Sequence, residues 1–130
     1  MFKKVKEIRS KTGELHFTRW SIFSFKRLNI NLFLHKIEKA DDDKHPHDHP
    51  WNFFSLILHG GYVERIGDSV YVRRPGSFSY KNCTKCHRVL ALLGKAVYTL
   101  VFTFGEKRTW GYQTPTGWVD FETYRENKRN

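Results

Sequence analysis

Apolar and polar positions alternate in short runs along this chain, without the sustained three-to-four spacing of a long amphipathic helix. The runs Leu15–Phe25 and 28–38 are rich in aromatic and β-branched residues and predict strands. In the second, Ile30, Leu32 and Leu34 alternate with Asn29, Asn31, Phe33 and His35, the pattern of a half-buried strand. The polar stretch 40–44 reads as a loop. The apolar run 51–58 then meets His59-Gly60-Gly61 and continues as Tyr62–Ile66, which predicts a hairpin. Gly67-Asp68 and Pro75-Gly76 mark further turns, and 89–93, Gly94-Lys95 and 96–104 predict a second hairpin. Short strands at regular spacing imply a barrel or sandwich.

Composition agrees with one β-rich domain. The chain has 130 residues, enough for a single modest core and too few for two, so 1–130 is expected to be one domain. A basic strand or arm is expected at about 1–14 and a basic tail at about 125–130. Aromatics make up 16% of the residues, which suits a β interior and argues against disorder. No run of eighteen apolar residues is present, and the basic N-terminus lacks the apolar stretch of a signal peptide. These features predict an intracellular, cytoplasmic protein that does not enter membranes.

The net charge is +10, from 23 basic and 13 acidic residues. Part of the excess sits at the ends, in Lys3, Lys4, Lys6, Arg9 and Lys11 and in Arg125, Lys128 and Arg129; Arg65, Arg73, Arg74, Lys81, Lys85 and Arg88 fall in the body. Such an excess keeps a surface soluble, attracts polyanions and steers acidic ligands. No helix-turn-helix, zinc-finger or RNA-binding signature accompanies it.

The strongest chemical signal is His45-Pro-His47-Asp-His49-Pro-Trp51, at the entrance to the strand predicted over 51–58. Residues two apart on extended chain point to one side, so His47 and His49 can aim into a common cavity. If His59-Gly60 forms a two-residue turn, Ser55 faces Glu64, and Tyr62 and Glu64 join the face that carries His47, His49, Trp51 and Phe53. His87 stands before the run 89–93 as the other two stand before theirs. Three imidazoles with open positions make a catalytic type of site for Fe, Zn, Mn or Ni. Tyr62 and Glu64 are the candidate catalytic acid and base.

Cys83-Thr-Lys-Cys86-His87 also matches the haem-attachment pattern, but no export signal accompanies it and the one Met available as an axial ligand is the initiator. Zinc binding by Cys83 and Cys86 with two His, a redox Cys pair, and an inert loop are the other readings.

The segments His47-Asp-His49-Pro-Trp51, Ser55-Leu-Ile-Leu-His-Gly-Gly-Tyr-Val-Glu64, Pro75-Gly76, His87-Arg-Val89, Trp110-Gly-Tyr112 and Gly117-Trp118 resemble small uncharacterised cupin-like proteins of bacteria and their viruses. The resemblance runs from about residue 19 to 124. It implies an all-β, cupin-type jelly-roll barrel (double-stranded β-helix) in which His47 and His49 match the paired His of the first motif, Gly60 its closing Gly, and His87 the single His of the second. Two features depart from that pattern. Phe53 stands where the first motif has a glutamate, and His87 comes eight residues after Ser79, where the second motif has its His. A three-His site, or one completed by Glu64, satisfies both.

Cupins span oxygenases, isomerases, epimerases, decarboxylases and binding proteins, so the resemblance does not set the reaction. The His-x-Asp signature of 2-oxoglutarate oxygenases is absent. Trp51, Phe53, Tyr62, Trp110 and Tyr112 would line a dry pocket, while Trp110, Gly111, Gly117 and Trp118 would chiefly cap the barrel. Asp48 would orient an imidazole or face water, and His16, His35, His45 and His59 would be surface or structural. The leading expectation is a metal-dependent enzyme acting on a small anionic molecule. A metabolite-binding barrel and a basic, nucleic-acid-associated accessory protein are the alternatives, and a homodimer through outer strands is open.

Overall fold

The computed structural model describes residues 2–10, 12–41, 44–105 and 107–129. Met1, Lys11 of the basic arm, and Asp42 and Asp43 of the polar loop lie outside these residues, as does the side chain of Arg129. The chain folds into strands β1 (Lys3–Arg9), β2 (Leu15–Phe25), β3 (Ile30–Ile37), β4 (Asn52–His59), β5 (Tyr62–Ile66), β6 (Ser69–Arg73), β7 (Phe78–Lys81), β8 (Arg88–Leu92), β9 (Val97–Phe104), β10 (Gly111–Thr114) and β11 (Gly117–Asp120), followed by helix α1 (Phe121–Arg129). No helix among the described residues is long and apolar enough to cross a membrane.

Six strands form a large antiparallel sheet in the order β1-β2-β3-β9-β4-β7, three form a smaller one in the order β6-β5-β8, and β10-β11 is a separate ribbon. Ile57 and Val97 of the large sheet pack against Tyr62 and Val89 of the small one, so the sheets face each other across a shared interior. A second apolar cluster, Phe33, Phe53 and Val101 with Trp51 against it, lies on the inner side of the large sheet. The interior is not a plain hydrocarbon core. Among the described residues eight buried side chains are apolar and eight are polar or charged, the composition of a wall around a cavity.

The two glycine turns expected to close hairpins instead carry the chain between sheets. β4 pairs with β9 and β7, β5 pairs with β6 and β8, and β8 and β9 do not pair with each other. Gly60 has φ +78°, and a Cβ there would meet the Ala96 carbonyl oxygen at 2.3 Å; at Gly61 it would meet that of Arg73 at 2.5 Å. Two backbones therefore pass too close for any side chain, and the pair turns a corner that a two-residue hairpin loop would not. The turn expected at Gly67-Asp68 does form, and it closes a hairpin joining β5 to β6 with Ile66 opposite Ser69.

Three further features bear on the site. In β3 the cavity is lined by His35 and Ile37, which share a face with Phe33, so Leu32 and Leu34 belong to the opposite face. The basic N-terminal arm is a fully exposed edge strand, β1, whose Lys6 and Ile8 reach the cavity wall. The basic C-terminal end is helical rather than a tail. The Asp120 carboxylate accepts from the Thr123 backbone N–H at 3.2 Å as a cap. Phe121 stacks on Trp110 at 4.9 Å and Tyr124 on Tyr112 at 3.9 Å, which seats α1 against the β10-β11 ribbon.

Candidate metal centre

Pro46 and Pro50 bracket the His47–His49 segment and keep it out of any continuous ladder, since neither can donate a backbone hydrogen bond. It is pinned locally instead. His47 and His87 exchange both backbone hydrogen bonds at 2.9 Å, Asp48 N–H donates to the Gly111 carbonyl at 2.9 Å, and His49 N–H to that of Cys83 at 3.1 Å. The three imidazoles then form a nearly equilateral triangle, with ring centroids 5.0 Å apart for His47–His49 and 4.8 Å for each of the other pairs. Their candidate donor atoms all lie within 4.8 Å of one another.

His49 Nε2 and His87 Nε2 are 3.2 Å apart. Two nitrogens bound at about 2.1 Å with a tetrahedral angle between them sit about 3.4 Å apart, close enough for this spacing to be one edge of a coordination polyhedron. Burial first, then His87 and His47, hold the His49 imidazole well below the usual histidine range, leaving it neutral as a ligand must be. The residues present fit a divalent transition metal.

Behind His87 stands a fully paired charge cluster. Its Nδ1 meets Glu64 Oε1 at 2.5 Å; the same oxygen takes Lys81 Nζ at 2.8 Å, and Oε2 takes Arg73 Nε at 2.9 Å. Glu64 and Lys81 are almost wholly buried. Burial alone would raise the Glu64 carboxyl, but His87 and Lys81 hold it well below the ordinary carboxylate range. Glu64 thus orients His87, in the manner of a carboxylate behind a metal-ligating imidazole, and does not line the cavity. Asp41 plays the weaker counterpart, its Oδ2 lying 3.8 Å from His47 Nδ1 while it accepts from the Val89 N–H at 2.7 Å. His49 Nδ1 is buried with no hydrogen-bond partner, its ring packed edge-on to Phe53 at 4.6 Å.

The cavity in front of these imidazoles has a volume of about 740 Å³. Trp51, Phe53, Tyr62 and Trp110 line it as expected, whereas Tyr112 lies behind Trp110 against α1. Tyr62 bonds Ser55, and burial followed by the Glu64 charge raises its phenol above the ordinary range, so it stays protonated. Trp110 is more than a cap, since it lines the cavity with its ring 6.0 Å from that of His47. Asp48 neither orients an imidazole nor faces water. Its buried carboxylate accepts from Gly111 N–H at 2.7 Å, Trp118 Nε1 at 2.9 Å and Arg108 Nη1 at 3.1 Å, fastening the ribbon to the site.

Cys83 and Cys86 are free, and among the described residues neither joins a metal-binding group. The haem and Cys/His zinc readings therefore have no geometry behind them. Burial followed by the Asp48 charge pushes the Cys86 thiol up, away from redox reactivity.

Sequence reasoning missed Arg19, His35 and Lys81. Arg19 and His35 face each other across β2 and β3, with Arg19 Nε donating to His35 Nε2 at 2.9 Å. Burial first, then Arg19 and Lys6, push His35 well below the histidine range, so this cavity-lining ring is neutral, with its Nε2 the acceptor. The alternation Phe17-Arg19 against Phe33-His35 was the available signal.

No protein-family model and no curated protein sequence matches the chain. Solved structures do. A cupin-2 domain protein from Rhodospirillum rubrum aligns with TM-score 0.68 and 17% identity over 96% of this chain and 82% of that one. A cupin 2 conserved barrel domain protein from Rhodopseudomonas palustris gives 0.66 and 13% over 99% and 86%. Fe(II)-bound HppE gives 0.64 and 15% over 79% of this chain but only 56% of its own length. At such identities the likeness is one of architecture, and with the strand layout above it establishes that the chain folds as an all-β, cupin-type jelly-roll barrel.

Proposed function

We propose that this protein is a metal-dependent enzyme of the small cupin-like type found in bacteria and their viruses, acting on a small anionic molecule. His47, His49 and His87 would hold one Fe, Zn, Mn or Ni ion. The observation that carries the reading is the His triangle opening on the cavity while Glu64 fixes His87 from behind. Such an ion, when bound, supplies Lewis acidity toward a carbonyl or a water molecule. The chain's own contributions are distinct from it. Trp51, Phe53 and Trp110 keep water from the reacting end of a bound molecule, which strengthens electrostatic interactions there. Tyr62, protonated and lining the cavity, is the candidate proton donor. Glu64 acts through His87, because both its oxygens are already engaged.

That engagement also favours a second reading. With Glu64 committed to holding His87, Tyr62 alone of the two candidate proton-transfer groups faces the cavity, which suits a barrel that binds a metabolite without turning it over. Elemental analysis of untagged protein, beside a His49→Ala control, tests the metal reading. About one metal per chain, lost in the control, is expected; no metal in either protein after reconstitution would leave the binding barrel as the better account.

A further inference from the structure

Among the described residues, the wall of the cavity formed by β1, β2 and the 107–108 segment carries more positive charge than negative. Lys6, Arg19, Lys107 and Arg108 line the cavity, and the one acid among the lining residues, Asp48, is taken by Arg108. Arg19 is half-buried between aromatic rings, its guanidinium carbon 4.7 Å from the Phe33 centroid and 5.8 Å from that of Trp51. Lys107 Nζ approaches the same Trp51 ring at 5.9 Å, so two cations converge on a residue two places beyond His49. Of the five N–H donors on Arg19, the one on Nε goes to His35; among the described residues the two terminal amino groups have no acceptor. Lys6 has no acidic partner there either. Although most of the residue is exposed, burial of its ammonium end and the charges of Arg19, Arg125 and Lys107 all lower it.

An arginine held in a rigid aromatic slot, with its fork unused and further cations beside it, is arranged to take a planar or tetrahedral oxyanion in bidentate fashion. Arg19 and the three imidazoles line the same cavity, so the fork and the imidazole triangle address one volume. We propose that this wall is the anion subsite of the cavity: a carboxylate or phosphate of a small organic acid docks on Arg19, flanked by Lys6 and Lys107. The rest of that molecule then extends towards His47, His49 and His87, a placement that rests on the metal-site reading above.

Calorimetric titration of inorganic phosphate and of succinate into metal-loaded protein tests this and separates the two kinds of oxyanion. At least one probe is expected to bind. Arg19→Gln should weaken it about tenfold or more, the loss expected for charge-assisted hydrogen bonds, and Arg19→Lys should fall between because it keeps the charge and loses the fork. Arg65→Gln, on an exposed position of β5, should bind as wild type does. Thermal melts report whether each variant is folded, and Arg19→Lys keeps the test open if the glutamine variant is not. Metal content measured on the same samples keeps the two claims apart. Arg19 variants should retain their metal, and His49→Ala should lose metal while still binding the anion. Failure of both probes to bind wild type, or binding by Arg19→Gln equal to wild type, would overturn the subsite and leave the metal reading standing.

Discussion

The two charged walls of the cavity are built on opposite principles. On the His87 side every buried charge has a partner, with Glu64 satisfied by His87, Lys81 and Arg73, and Asp48 by Arg108, Trp118 and a backbone N–H. On the Arg19 side Lys6 and Arg19 face the cavity with no acid among the described residues to match them. A buried charge network that is complete fixes geometry, and breaking it is costly. A cationic wall left incomplete contributes little to folding and keeps its donors for a ligand. The contrast assigns the first wall to positioning and the second to recognition.

The sharpest way to break that contrast is Glu64→Gln, which leaves Lys81 buried without its counter-ion. Loss of one partner from a buried ion pair costs about 3–5 kcal/mol, and denaturant unfolding should show a loss of that order. Acid comes next. The folded-state Glu64 carboxyl lies below its unfolded value, so the stability it contributes is present above an unfolded pKa of about 4.3 and is lost as pH falls through that value towards the lower folded one. His35 is depressed too, so its share is present above about 6.5 and lost as pH falls from there. Unfolding midpoints of metal-free protein should therefore drop in two stages on acidification; His49 is depressed as well, so His35→Gln should shrink the first stage without abolishing it. Tyr62→Phe, which removes the hydroxyl bonded to Ser55, should cost about 1 kcal/mol and leave metal content unchanged. Arg19→Met should cost no more than about 1 kcal/mol, far below Glu64→Gln, because losing the donor to His35 Nε2 is offset by removing a charge with no counter-ion and keeping an apolar stem among the rings. A large destabilisation there would erase the distinction between the walls.

Local pattern carried much of this to the reader of the sequence. The bounds of β2 coincide with the predicted run, and the spacing of His47, His49 and His87 before their strands anticipated the triangle. Tyr62 and Glu64 are buried as expected, but the hairpin register that put them opposite Ile57 and Ser55 does not form, since β5 pairs with β6 and β8. A glycine turn between two β-rich runs looks the same whether the chain pairs back on itself or crosses to a facing sheet, and only contacts far along the sequence, such as β3 and β4 on β9, decide between them. His35 was hidden because Leu32 and Leu34, the more apolar set of β3, lie on the face away from the cavity. Arg19 and Lys81 were lost in the overall basic charge, since nothing local distinguishes a lysine that closes a buried ion pair from one that faces water. The nine-residue helix α1 shows little periodicity beyond Phe121 and Tyr124, and its docking on Trp110 and Tyr112 is a tertiary effect.

The central claim is that three imidazoles from two loops hold one metal ion in front of a propped His87. X-ray absorption at the edge of whatever metal the purified protein carries tests it most directly. A first shell of nitrogen and oxygen at about 2.0–2.2 Å, with the scattering of three imidazoles that falls to two in His87→Ala, is the predicted result. A sulfur shell near about 2.3 Å, or a spectrum unchanged by His87→Ala, would contradict the account.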